Sequence, residues 1–390
     1  MMGRWSPAAG AVGVWLRRLQ VMTEKELLQL FRDAILVLVI LYGFTLDVYL
    51  AGSGLSLQLN RAPLVVHDAD QSAASRELLS RFRPPYFQLD GAVTHADEGT
   101  RLLDRGEEMM VLHIPPQFQR RLLKGEPAAV QLQIDATNPV LGLLAAGYGA
   151  QIVGQFGQEA ALARLRSAGH SLQTAPVIRD AHRVWFNPNE NDAWFMSTEE
   201  LITVVTLFAI LLPAAAMARE KERGTVEQLL VSPLTPFQIM FPKVLAMTAV
   251  IVAGTALSVE VVLKLIFHVP TRGSLLLFFG MTTLYVFTNA GLGMFVATIT
   301  RNLAQVGMVS ILISIPMLFL SGTWTPPEAM PGWLRLGILI SPLHYYGDAT
   351  FGIFLKGAGP DLLWGELAGI VLLGAVLFAF GTWRLRRQFG

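Results

Sequence analysis

The sequence predicts an α-helical membrane protein that crosses the bilayer six times and carries an α/β domain between its first two crossings. Three observations point there. Apolar residues make up 53% of the 390 residues and charged ones only 15%. That is too apolar for a soluble chain and too charged for one that is membrane throughout. Several apolar runs approach the ~20 residues that span a ~30 Å hydrocarbon core at ~1.5 Å per residue. Between the first two runs, charges return and short apolar pieces alternate with polar ones.

The elements follow in order. Residues 1–33 mix Arg4, Arg17, Arg18, Lys25 and Arg32 with Trp15, Leu16, Leu19, Leu27, Leu28 and Phe31. A helix with that composition lies in the membrane interface, cations toward lipid phosphates; a solvated charged face is the plainer alternative. The first run begins only near Ala34 and lacks a small-residue cleavage site, so it reads as a retained span, 34–51, rather than a signal peptide. Asp47 sits near its far end, where a carboxylate can reach water.

Residues 52–195 read as the α/β domain. Pro63–Asp68, Tyr86–Val93, Glu108–Ile114 and Ala129–Asp135 have the look of strands. Ser72–Arg83, Ala96–Arg105, Pro116–Leu123 and the long Val140–Arg166 read as helices. Aromatic residues at Val184–Asn187 and Trp194-Phe195 mark the return to the bilayer. The remaining spans are expected at 196–218, 244–267, 274–299, 303–321 and 364–383, with a tail at 384–390. Residues 322–360 are aromatic and broken by proline, each piece too short to span. They read as two half-buried helices at the outer face or as an external loop, since irregular backbone at that depth must be covered by protein or water. Lysine and arginine near the span ends place both termini, the 219–243 segment and Arg301 on one side, the cytoplasm. The α/β domain is then outside.

The stretch Arg219–Pro236, REKERGTVEQLLVSPLTP, stands between two spans yet looks ordered. Arg219, Lys221 and Arg223 alternate with Glu220 and Glu222. Gly224 offers a joint and Thr225 a helix cap; Val226–Val231 suits a short helix ended by Ser232-Pro233. Such a helix outside the membrane serves either as a docking point or as a hairpin anchored at the headgroups.

Glu220, Glu222, Gly224, Thr225, Glu227, Gln228 and Leu229 form an E-x-E-x-G-T-x-E-Q-L pattern. It resembles the cytoplasmic coupling loop of ABC-2 type permeases, in particular their bacterial inner-membrane branch. Lys25-Glu26 and Arg32-Asp33 resemble the KE…RD pair before the first span of the same permeases, and residues 322–360 their re-entrant outer helices. The resemblance covers nearly the whole chain. It implies a type V exporter-like fold, pairing of two protomers as a homodimer or heterodimer, and a separate ATPase subunit whose groove receives the loop. Glu220, Glu222 and Glu227 would then offer charge to that ATPase, and Gln228 and Leu229 would fill its groove.

No phosphate loop, zinc-binding histidine spacing or nucleophile elbow occurs, and cysteine is absent. No enzymatic centre is expected, and no cofactor in this chain; ATP and magnesium would sit on the partner ATPase. A net charge of +1 gives no pull toward nucleic acid. Glu260 and Lys264 share a helix face within an apolar run. They are either a neutralised pair by the outer headgroups or a polar element of a substrate path or subunit interface; Asn289 in the next span is a further candidate. The expected function is the permease subunit of an inner-membrane exporter for an amphipathic or drug-like substrate, with a periplasmic adaptor as a further partner. Lipid or polysaccharide export, and a non-transporting scaffold or sensor with a ligand-binding outer domain, are the alternatives.

Overall fold

The computed structural model describes residues 7–54, 59–137, 139–167, 186–189, 191–224, 235–322, 325, 327 and 330–389. The chain divides into two compact units, Met1–Leu55 with Val184–Gly390, and Ser56–Arg183.

The first unit is helical. Helix α1 covers Pro7–Phe31 and α2 covers Ala34–Gly54, the latter widened into a π-turn at Gly43–Asp47. Asp33 caps α2, its side chain accepting from the Leu36 N–H at 3.2 Å. Within the second unit fall β1 (Ala62–Asp68), α3 (Ala73–Leu79), β2 (Phe87–Ala92), α4 (Ala96–Asp104), β3 (Met110–Ile114), α5 (Phe118–Lys124), β4 (Gln131–Ile134) and α6 (Pro139–Ser167). The first unit resumes with α7 (Asp192–Glu222) and α8, α-helical over Pro236–Leu257 and π-helical over Ser258–Ile266. Helices α9 (Leu275–Ile299), α10 (Leu303–Phe319), α11 (Gly332–Ile338), α12 (Pro342–Phe351) and α13 (Trp364–Phe389) complete it.

Polar caps start the long helices where the sequence supplies them. Asn191 caps α7 and Ser274 caps α9; Thr235 and Gln238 form a capping box on α8, with Pro236 at its first position. Asn302 caps α10. The helices outrun the apolar runs. Helix α7 continues through Arg219–Glu222, α8 already starts at Pro236, and α13 runs on through most of the expected tail. Charged residues are good helix formers, so hydropathy ends before the backbone pattern does.

Helices α2, α7, α8, α9 and α13 contain the stretches long and apolar enough to cross a membrane, as does Val140–Ser167 of α6. Length and composition alone do not settle α6. It gives Ala145 and Phe156 to the core beneath the sheet, so it belongs with the α/β unit. Helix α10 is apolar but has 17 residues. Its Ser310 and Val306 face inward while Met308, Leu312 and Phe319 are exposed. Helix α7 is the buried centre of the helical unit, packed by Ile40, Phe44, Met247, Ile251, Phe278 and Tyr285 among others.

Close approaches depend on missing side chains. A Cβ on Gly254 would lie 2.3 Å from the Phe44 ring, so α8 and the π-turn of α2 meet only because residue 254 is glycine. At the heart of the unit the Tyr285 and Tyr346 rings stack 4.2 Å apart, their hydroxyls paired with Thr206 and Thr282.

In the second unit the strand order is β2-β1-β3-β4. β1 runs parallel to β2 and β3, while β4 is antiparallel to β3. Period-two alternation sends Leu64, Val66, Met110, Leu112 and Ile114 to one face, where Leu78, Phe118, Ala145 and Phe156 complete a core. All four expected strands and four expected helices form, with ends shifted by a few residues.

Candidate functional site

The root of the 219–243 segment carries the densest polar chemistry in the helical unit. Arg219, Glu220, Lys221 and Glu222 are consecutive on the last turn of α7. Each step turns about 100° around a helix of 3.6 residues per turn, so the four side chains point to four different neighbours. Arg219 Nη1 lies 3.5 Å from Asp33 Oδ2 at the start of α2. Glu220 Oε1 accepts from Lys243 of α8 at 2.7 Å and from Lys25 of α1 at 3.1 Å. Lys221 Nζ donates to the carbonyls of Ala297 and Thr300 where α9 ends. Glu222 Oε1 accepts the N–H of Leu303, the first residue of α10, at 2.9 Å. One turn of helix therefore ties together five other helices.

The centre of this knot is closed to water. Lys243 is 3% exposed, Glu26 2% and Glu220 4%. Lys243 Nζ also bonds Glu26 Oε1 at 2.6 Å, and Lys25 Nζ lies 3.3 Å from the same oxygen. Two cations and two carboxylates balance. Charges this deep survive only when paired, because desolvation of each is costly. Burial pulls the Lys25 ammonium downward, but Glu26 and Glu220 outweigh it and hold its pKa above the usual lysine value. The site is a set of ionic ties, with the geometry of a mechanical joint.

The expected site residues are placed as follows. Lys25, Glu26, Asp33 and Glu220 come together in this knot, while Arg32 is exposed on the surface of the unit. Glu26 is buried, bonded to Lys243 of α8. Glu220 and Glu222 are both engaged within the chain. Gly224 follows with φ +67°, a left-handed conformation that favours glycine. Thr225, Glu227, Gln228 and Leu229 lie outside the described residues. Lys264 and Glu260 are bonded to each other at 2.6 Å in the π-helical part of α8, Glu260 being 57% exposed. Asn289 is fully buried and donates to the Tyr285 carbonyl. The knot does not bring Glu260, Lys264 or Asn289 into contact with it.

The sequence of the whole chain can be set beside known proteins. The family described as ABC-2 family transporter protein matches over residues 34–383. The chain belongs to that family. It is 33% identical over 376 residues to the inner membrane transport permease YhhJ of Escherichia coli K12, covering 96% of this chain and 98% of that one. It is 30% identical to the probable multidrug ABC transporter permease YbhR of the same organism, covering 95% and 99%. YbhS, also named a probable multidrug permease, is 25% identical over 94% of this chain and 96% of its own. An ABC-2 transporter is a membrane permease and not an enzyme, and its family implies an ABC ATPase as partner in general terms. The ABC-2 assignment and the apolar helices together make this a multi-pass protein of the bacterial inner membrane.

Lys243 is the functional candidate that sequence reasoning passed over. It reads as one more cation flanking an apolar run, FPKVLAM. Its partners lie 23 and 217 positions away, which no local pattern encodes.

Proposed function

We propose that this ABC-2 protein is the membrane subunit of an ATP-driven exporter of amphipathic or drug-like molecules, coupled to a separate ATPase through the segment after Gly224. The knot at Arg219–Glu222 is the observation that carries the reading. A helix end bonded to α1, α2, α8, α9 and α10 can turn a push on the adjoining segment into a movement of the helical unit as a whole. The ATPase would bind ATP and Mg²⁺, grip residues 225–229, and close. Glu227, Gln228 and Leu229 would contact it, with Thr225 capping their helix. Glu220 and Glu222 would set the segment's root, and Gly224 would allow its turn. The protein can move only as far as the ATPase's differential contacts between its states permit. A second protomer, identical or related, would complete the path. Both termini would be cytoplasmic and the α/β unit periplasmic, where it guides substrate or meets an adaptor. The multidrug wording attached to YbhR and YbhS supports the substrate class.

Affinity capture of the full chain from native membranes tests the partnership: a nucleotide-binding ATPase should co-purify. Gly224→Pro removes the left-handed φ and should abolish efflux while leaving membrane insertion intact. Normal efflux by that variant, or capture without an ATPase, overturns the reading.

A further inference from the structure

A second site lies on the back of the helical unit. Phe237 and Phe241 of α8, Leu284, Phe287 and Thr288 of α9, and Val371, Gly374, Ala375 and Phe378 of α13 enclose a groove of about 300 Å³. Its origin is steric. Helices α9 and α13 touch backbone to backbone: a Cβ on Gly291 would stand 2.7 Å from Leu377, and one on Gly381 2.3 Å from the Gly291 carbonyl. Helix α8 is held to α9 through larger side chains, Phe241 against Phe287 at 6.0 Å, so a wedge opens between α8 and α13 with α9 as its floor. The walls are hydrocarbon. The single hydroxyl, that of Thr288, is already bonded to the carbonyls of Leu284 and Ile370.

One end of the groove is marked by charge. Phe237 stacks on Trp15 of α1, centroids 6.2 Å apart and planes 9° apart. Arg18 is one turn beyond Trp15, beside Arg17, and both are exposed. On α13, Arg384 follows Phe378 by six residues, about 9 Å along the helix. Arg387 lies over the Trp383 ring at 5.4 Å. Neither α13 beyond Glu366 nor α1 before Glu24 contains an acidic residue. An apolar slot with aromatic walls thus ends at a rim that is cationic on both sides.

We infer that this groove holds an acyl chain of an anionic phospholipid, its phosphate set between Arg17 and Arg18 of α1 and Arg384 and Arg387 of α13. Juxtamembrane cations draw such headgroups, and aromatic residues at that depth bracket the glycerol region. The bound lipid bridges α1 to α8 and α13, so the seating of α1 on the charged knot depends on the anionic lipid of its leaflet. That leaflet is the cytoplasmic one on the orientation proposed above; the groove itself does not depend on that orientation.

The test uses the full chain in nanodiscs of phosphatidylcholine doped with phosphatidylglycerol carrying a diazirine in its acyl chain. After illumination, labelled peptides should concentrate on Phe237–Phe241 and Val371–Phe378. The matching phosphatidylcholine probe should label them about ten-fold less. Ala375→Phe fills the groove and should erase this labelling. Arg18→Gln with Arg384→Gln should remove the headgroup preference while leaving labelling elsewhere unchanged. Equal labelling by both probes, or uniform labelling that includes the exposed face of α10, overturns the inference. The probe comparison needs no variant, no ATPase and no defined orientation, so its failure is separate from failure of the exporter reading.

Discussion

Lys243 occupies the position where a single atom matters most. Its ammonium bonds both Glu26, at 2.6 Å, and Glu220, at 2.7 Å. Lys243→Met would take the most buried cation away from two buried carboxylates. Removing one partner of a buried ionic pair costs about 3–5 kcal/mol, so that variant should lose thermal stability in detergent and lose efflux. A triple variant, Lys243→Met with Glu26→Gln and Glu220→Gln, removes the charges together and should recover much of the folded protein. Efflux should stay low, because the tie between α1, α7 and α8 is gone. Size-exclusion profiles after heating, with a transport assay, read both outcomes. At this scale the sequence was half legible. The alternation of charge in REKE flagged Glu220 and Glu222, and Gly224 was legible as a turn. What the alternation could not tell is direction: 100° steps distribute neighbouring side chains among partners remote in the chain, and only packing reveals which.

Among elements, the sheet of the α/β unit is the clearest case of pattern becoming structure. Its strands were readable because alternation and β-branched residues agree, and the turns carry glycine or proline. Pairing was not readable, and it brings His67 of β1 opposite His113 of β3. Their Nδ1 atoms lie 2.6 Å apart, which requires one donor and one acceptor. Burial, and then the proximity of His67, pushes the His113 pKa below its ordinary value. An unfolded histidine takes up a proton as pH falls through about 6.5, while folded His113 resists it. The contribution to stability is therefore complete above that pH and is lost as pH falls toward the lower folded value. Hydrogen exchange of the β1 and β3 amides in the full chain, corrected for intrinsic rates, should be faster at pH 5.5 than at pH 7. His113→Gln should flatten the difference. Asp70, just past the end of β1, ties to the segment that follows β3. It accepts from the N–H groups of Phe118 and Gln119 at 3.1 and 3.0 Å, and its carboxyl is held below the usual range by Ser72 first and then by those amides.

For the whole molecule, membership of the ABC-2 family and the run of apolar helices were both legible, because composition and the E-x-E-x-G-T-x-E-Q-L pattern point the same way. Helix count was harder. Hydropathy admits α6, which packs under a sheet, and undersells α10, which packs against α7. Packing partners decide such cases, and they are remote in sequence. The α/β unit takes up Ser56–Arg183 of the chain. Replacing Ser56–Arg183 by a short linker should leave the helical unit inserted and reduce efflux strongly; unchanged efflux would deny the unit a part in transport. The modest extent of α10 also has a consequence for the surrounding lipid. Its 17 residues reach about 25 Å against a hydrocarbon thickness of ~30 Å. As a crossing it would oblige lipids beside the exposed Met308, Leu312 and Phe319 to compress to meet its ends. Such a crossing would dimple the annulus on that flank, and a neighbour bearing a similarly stunted one would share the dimple and relieve it.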